Sequence, residues 1–123
     1  MREEVDTGFL WDFDIYQSEA RKTMINGSLA HLSSGLAAET GEVMGLLQKY
    51  HRGDSRYAEG PLNMDFTDEF KRKMIGELGG VLWYLATLSD YFDLPLSSIA
   101  NYNLAALKKR AAEGKIQGDG DFR

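Results

Sequence analysis

Two long stretches, 28–51 and 67–92, repeat apolar residues at helical spacing and carry glutamates beside them. This pairing confines the chain to helices packed on one another. Along the first, with about 100° of rotation per residue, Leu29, Leu32, Leu36, Val43, Leu47 and Tyr50 share one stripe. Glu39 lies about 50° and Glu42 about 110° from its centre, on the same flank. Along the second, Phe70, Met74, Leu78, Val81, Leu85, Leu88 and Phe92 make the stripe. There Glu77 stands about 55° and position 80 about 115° off, in the same rotational sense. If the two helices pack antiparallel and face to face, positions 39, 42, 77 and 80 line one cleft.

Gly27, Gly53, Gly60-Pro61 and Pro95 mark off two further helices. One spans about Asp14 to Ile25, opening on an Asp-led capping box, Asp14-Ile15-Tyr16-Gln17. The other starts near Ser97 or Ser98 and ends at Gly114, a C-terminal cap. No stretch alternates long enough to demand a strand, and His51 to Phe66 reads as a lid or flexible crossover. The expected fold is all-α, four helices in a single domain over residues 1–123. At this length roughly two thirds of the unfolded surface can be buried. Broad apolar faces on so small a chain leave surface for a partner subunit.

Net charge is −5, which argues against a long DNA or RNA partner but permits a small anion held through metal. The absence of cysteine excludes disulfides, thiolate zinc sites and thiol nucleophiles. Met1-Arg2-Glu3-Glu4-Val5-Asp6 places acid where a signal peptide needs base, and no apolar run has the length of a membrane span. A cytoplasmic location, away from membranes, is expected.

Carboxylates converging without cysteine or histidine make a hard-oxygen site suited to Mg²⁺, with Mn²⁺ as the alternative. Spacing alone leaves a second account open, in which Glu39, Glu42 and Glu77 are boundary residues paired with lysine or arginine. His31 and His51 do not give the Glu-x-x-His pairing of di-iron bundles and read as structural or solvent-facing. Trp83 points away from the acidic flank and, with Trp11, reads as core or subunit contact.

The segments Gly35-Leu36-Ala37-Ala38-Glu39-Thr40-Gly41-Glu42-Val43 and Glu77-Leu78-Gly79-Gly80-Val81-Leu82-Trp83-Tyr84-Leu85 resemble the ExxE and ExxD halves of the MazG-like nucleoside triphosphate pyrophosphohydrolases. The likeness runs from about Tyr16-Gln17 to Gly120-Asp121-Phe122-Arg123. It implies a helical bundle assembling as a dimer or tetramer, with Mg²⁺ on Glu39, Glu42 and Glu77. It also implies hydrolysis of nucleoside triphosphates, non-standard or deoxy ones among them, to monophosphate and pyrophosphate.

On the same resemblance Tyr84 lines the nucleotide pocket and Gln17 lies near the substrate. Asn103, Arg110 and Arg123 are base or phosphate contacts, each with a structural alternative. Lys49, two turns beyond Glu42, is either a phosphate contact or an exposed ion-pair partner. Two positions depart from the family pattern: Gly80 stands where an aspartate is expected, and Ala106 where a lysine is usual. Glycine inside a helix costs roughly 1 kcal/mol against alanine. The Gly79-Gly80 pair therefore fits a replaced aspartate.

Overall fold

The computed structural model describes residues 12–114. Four helices, α1 (Phe13–Lys22), α2 (Leu29–His51), α3 (Asp68–Tyr91) and α4 (Leu96–Ala112), account for most of them. Each of the first three starts where a side-chain oxygen accepts an otherwise orphaned backbone amide. Asp12 takes Ile15 N, Ser28 takes His31 N and Thr67 takes Phe70 N. The expected cap of α1 at Asp14 is thus displaced by two residues, and α1 ends at Lys22 rather than at Ile25.

Asp14 instead serves α4. Pro95 gives α4 no side-chain cap of its own, and Asp14 accepts from both the backbone N (3.0 Å) and the hydroxyl (2.6 Å) of Ser97. These bonds hold the Asp14 carboxyl below its usual range. At the other end Gly114, in the left-handed region at φ 70°, closes α4 as expected.

The stretch expected to be a flexible crossover is folded, and it contains the strands that the sequence did not reveal. Two-residue strands β1 (Ala58–Glu59) and β2 (Asp65–Phe66) pair antiparallel around a 3-10 turn at Pro61–Asn63. Such a hairpin gains little from its ladder, so side chains must hold it. Phe66 stacks on both Tyr50 (4.4 Å) and Phe70 (4.7 Å), the Tyr50 hydroxyl donates to Met64 O at 2.7 Å, and Tyr57 is buried against Phe70. The hairpin therefore clasps the end of α2 to the start of α3.

Contacts between α2 and α3 run in opposite directions along the two helices: Gly35 with Tyr84, Glu39 with Gly80, and Tyr50 with Phe70. The pair is antiparallel. Its seam differs in rotation from the expected one, because Leu78 and Leu85 face outward with Ile75 and Leu82 while Glu77 turns toward α2. The reason is that α3 has two partners. Ala86 and Trp83 face α1 and the start of α4, packing around Ala20, Leu96 and Ile99. With both sides engaged, the leucine stripe is left between them. Trp83 joins this core as expected and donates Nε1–H to Thr23 at 2.8 Å, whereas Trp11 lies outside the described residues.

Candidate metal centre

The seam of α2 and α3 carries the acidic positions. One carboxylate oxygen from each of Glu39, Glu42 and Glu77 lies within 4.8 Å of the others, close enough for a single cation to bridge all three. Glu39 and Glu77 are half-buried and Glu42 is exposed, so the cluster is open on one side. Burial first, then the charge of Glu42 and a hydrogen bond with it, then the charge of Glu39, raise the Glu77 pKa; Lys73 partly opposes them. Carboxylates crowded without a positive partner among them are in a state that a cation would relieve. The boundary ion pairs left open by spacing are absent for these three among the described residues.

Gly80 also shapes the cluster. A β-carbon built there would stand 2.3 Å from Glu39 Oε2 and 2.8 Å from its Cδ, so the Glu39 carboxylate lies against the α3 backbone in the space a side chain would fill. Any residue at 80 must push that carboxylate away, which is cheap because it ends a flexible side chain. Gly35 plays the matching part further along. A β-carbon there would sit 2.1 Å from Tyr84 Cε1, so the ring is seated directly on the α2 backbone. Tyr84 also meets His31 edge-on at 5.9 Å, placing it in the seam one turn beyond Gly80.

Lys49 shares a cavity of about 290 Å³ with Glu42 and Glu77. The same cavity brings in Lys73 and Tyr57, neither of which was singled out in the sequence. Lys73 sits one turn before Glu77, so its spacing was a usable signal; Tyr57, in an irregular segment, gave none. Lys73 donates to the Tyr57 hydroxyl at 2.8 Å, which holds the ammonium above its ordinary pKa.

Gln17 is placed elsewhere. It is buried, donates to Ala86 O (3.1 Å) and Leu94 O (2.9 Å), and accepts from Leu96 N (3.0 Å), so its amide joins the α3–α4 turn to α1 rather than facing the carboxylates. Asn103 and Arg110 share a different hollow with Ile99, Tyr102 and Ala106. Asn103 is exposed there, not on a buried stripe, while Arg110 is buried with Nε donating to Ala106 O. His31 and His51 are both exposed, as expected. Arg123 lies outside the described residues.

Fold and cluster together define a small, mostly helical protein built around three carboxylates between two antiparallel helices. The chain belongs to the family of the Gene 37 protein of Mycobacterium phage L5, with which it is 33% identical over 119 residues, covering 89% of this chain and 97% of that protein. No family model and no solved structure matches it. Among the described residues no helix is long and apolar enough to cross a membrane.

Proposed function

We propose that the protein is a MazG-like, Mg²⁺-dependent pyrophosphohydrolase acting on nucleoside triphosphates, non-standard or deoxy ones among them. The observation that carries this reading is the convergence of Glu39, Glu42 and Glu77 within 4.8 Å, from two helices whose motifs resemble that family's. The donor set is all oxygen, which suits Mg²⁺, or Mn²⁺ in its place. Such an ion would polarise water and neutralise phosphoryl charge. In the reaction, a water oxygen joins the α-phosphorus, the bridge to the β-phosphate breaks, and pyrophosphate leaves with the bridging oxygen as the water's proton is released. Tyr84, seated on Gly35, borders the nucleoside end of the seam.

The same reading takes the protein to be cytoplasmic and a homodimer or homotetramer. Ile75, Leu78, Leu82 and Leu85 support the assembly: they stand at heptad spacing on α3 and are 37–63% exposed. Gly80 favours one alternative, a protein that retains the nucleotide pocket with little turnover, because one expected carboxylate is absent.

Pyrophosphate release from a panel of nucleoside triphosphates with Mg²⁺, measured for this protein and for Gly80→Asp, decides between them. We expect slow release by the natural sequence and at least about tenfold faster release by Gly80→Asp, which adds a carboxylate and moves Glu39 off the α3 backbone. No release by either protein, with nucleotide binding seen by calorimetry, leaves the binding protein. Neither release nor binding leaves a structural helical oligomer.

A further inference from the structure

We propose that Asn26 is a site of spontaneous covalent modification, converting through a cyclic succinimide to isoaspartate or aspartate while the protein is folded. Of the four asparagines in the chain, Asn26, Asn63, Asn101 and Asn103, it is the one followed by glycine. Met64, Tyr102 and Leu104 follow the others, and Asn101 and Asn103 are fixed within α4. Asn26 instead lies in the exposed linker between α1 and α2, next to a fully exposed Ile25. The reaction needs the backbone nitrogen of the next residue to swing onto the side-chain carbonyl, and glycine leaves that motion unhindered.

The steps balance with water alone. The Gly27 nitrogen gives its proton to solvent and attacks Asn26 Cγ; the Cγ–Nδ2 bond breaks, and ammonia leaves with a proton returned from solvent. Water then adds to one of the two ring carbonyls. Opening at Cγ gives aspartate. Opening at the main-chain carbonyl gives isoaspartate, with the chain rerouted through the side chain. One water is consumed and one ammonia released, with no change of oxidation state.

Two features of the linker favour the first step. Asn26 Oδ1 accepts from Ser28 N at 3.1 Å. As Gly27 N attacks, negative charge gathers on that oxygen, and the Ser28 amide is already aimed at it, as a donor in an oxyanion hole would be. Ser28 is also the N-cap of α2, so the positive end of the helix dipole lies two residues along, and the first turn of α2 carries no acidic residue to oppose it. The fold tolerates the product as well. Asp14 and Gln17 bind the start of α4 and the turn before it, and Arg21 pairs with Asp90, so α1 is held by bonds that do not run through the linker. A longer main chain at position 26 leaves those bonds in place.

The test incubates the full chain for days at mildly acidic and mildly alkaline pH. Mass spectrometry of the tryptic peptide 23–49 follows exchange of NH₂ for OH at Asn26, with the other three asparagines as internal controls. Gly27→Ala is compared, with its unfolding curve recorded. An added β-carbon there meets the flexible end of Met24, 3.1 Å from Cε, and Gly27 is not in the left-handed region, so the variant should fold. We expect Asn26 to convert at least about tenfold faster than each other asparagine, and at least about tenfold more slowly in Gly27→Ala. The rate should rise with pH, because the attacking nitrogen must lose its proton, and the folded protein should convert no more slowly than the chain unfolded in urea.

No conversion at Asn26, conversion no faster than at Asn63, or an unchanged rate in folded Gly27→Ala overturns the assignment. Strong protection of the folded protein relative to the urea-unfolded chain overturns it too, and that comparison decides the matter should Gly27→Ala fail to fold.

Discussion

Replacing Glu77 by glutamine should stabilise the metal-free protein at neutral pH and, if the proposed function holds, remove stabilisation by Mg²⁺ and lower Mg²⁺-dependent pyrophosphate release about a hundredfold or more. The Glu77 pKa is raised in the folded protein, by burial first and then by Glu42 and Glu39. The folded state therefore holds this proton more tightly than the unfolded chain, whose carboxyl titrates near 4.5. Stability associated with the group is complete below that value and is lost as pH rises through the higher folded value. Glutamine keeps a neutral side chain at every pH and can donate to Glu42. Its advantage over the natural residue should accordingly be present at neutral pH and vanish on acidification.

A cation held as proposed would reverse the balance. At a concentration about a hundredfold above its dissociation constant it adds about 2.7 kcal/mol. For a chain of this length that is roughly 10 °C in melting temperature. Glu77→Gln should forfeit this shift. Since loss of a mere supporting residue around a metal costs about 10–100-fold, loss of a direct ligand should cost turnover about a hundredfold or more. Thermal unfolding against pH, with and without Mg²⁺, is the measurement. A Glu77→Gln protein still stabilised by Mg²⁺ to the natural extent would place the cation elsewhere.

Gln17→Leu should have the largest effect on stability, about 3–5 kcal/mol in urea unfolding, out of a total of about 5–15 kcal/mol for a domain of this kind. The Gln17 side chain is 5% exposed and satisfies three backbone groups, Ala86 O, Leu94 O and Leu96 N. Leucine fills the volume and leaves all three without that partner. A substrate-binding role for Gln17 predicts the contrary pattern: near-natural unfolding with a raised KM.

The helices were legible because their ends carry local chemistry. Ser28 and Thr67 cap where the sequence suggested starts, and Pro95 and Gly114 bound α4. The acidic cluster was legible for a related reason, since Glu39, Glu42 and Glu77 are fixed by helical rotation and one antiparallel pairing. What could not be read depends on long-range partners. Asp14 and Gln17 look like first-turn residues of their own helix, yet each bonds backbone about eighty residues away. The β1–β2 hairpin is two residues wide, too short for alternation to register. Leu78 and Leu85 looked like core because periodicity reports which residues share a face without saying what, if anything, covers it.

The clasp made by Tyr50, Phe66 and Phe70 has a consequence for how the molecule forms. Its contacts close a loop of only about twenty residues, whereas the bonds from α1 to Ala86, Leu94, Leu96 and Ser97 close loops of roughly seventy to eighty. Shorter closures cost less chain entropy. The α2–hairpin–α3 unit is thus the natural folding nucleus, with α1 docking afterwards. The carboxylates lie wholly within that nucleus. They would come together early, while like charges still oppose the approach of the two helices, so the rate of folding, and not only the final stability, should respond to divalent cation.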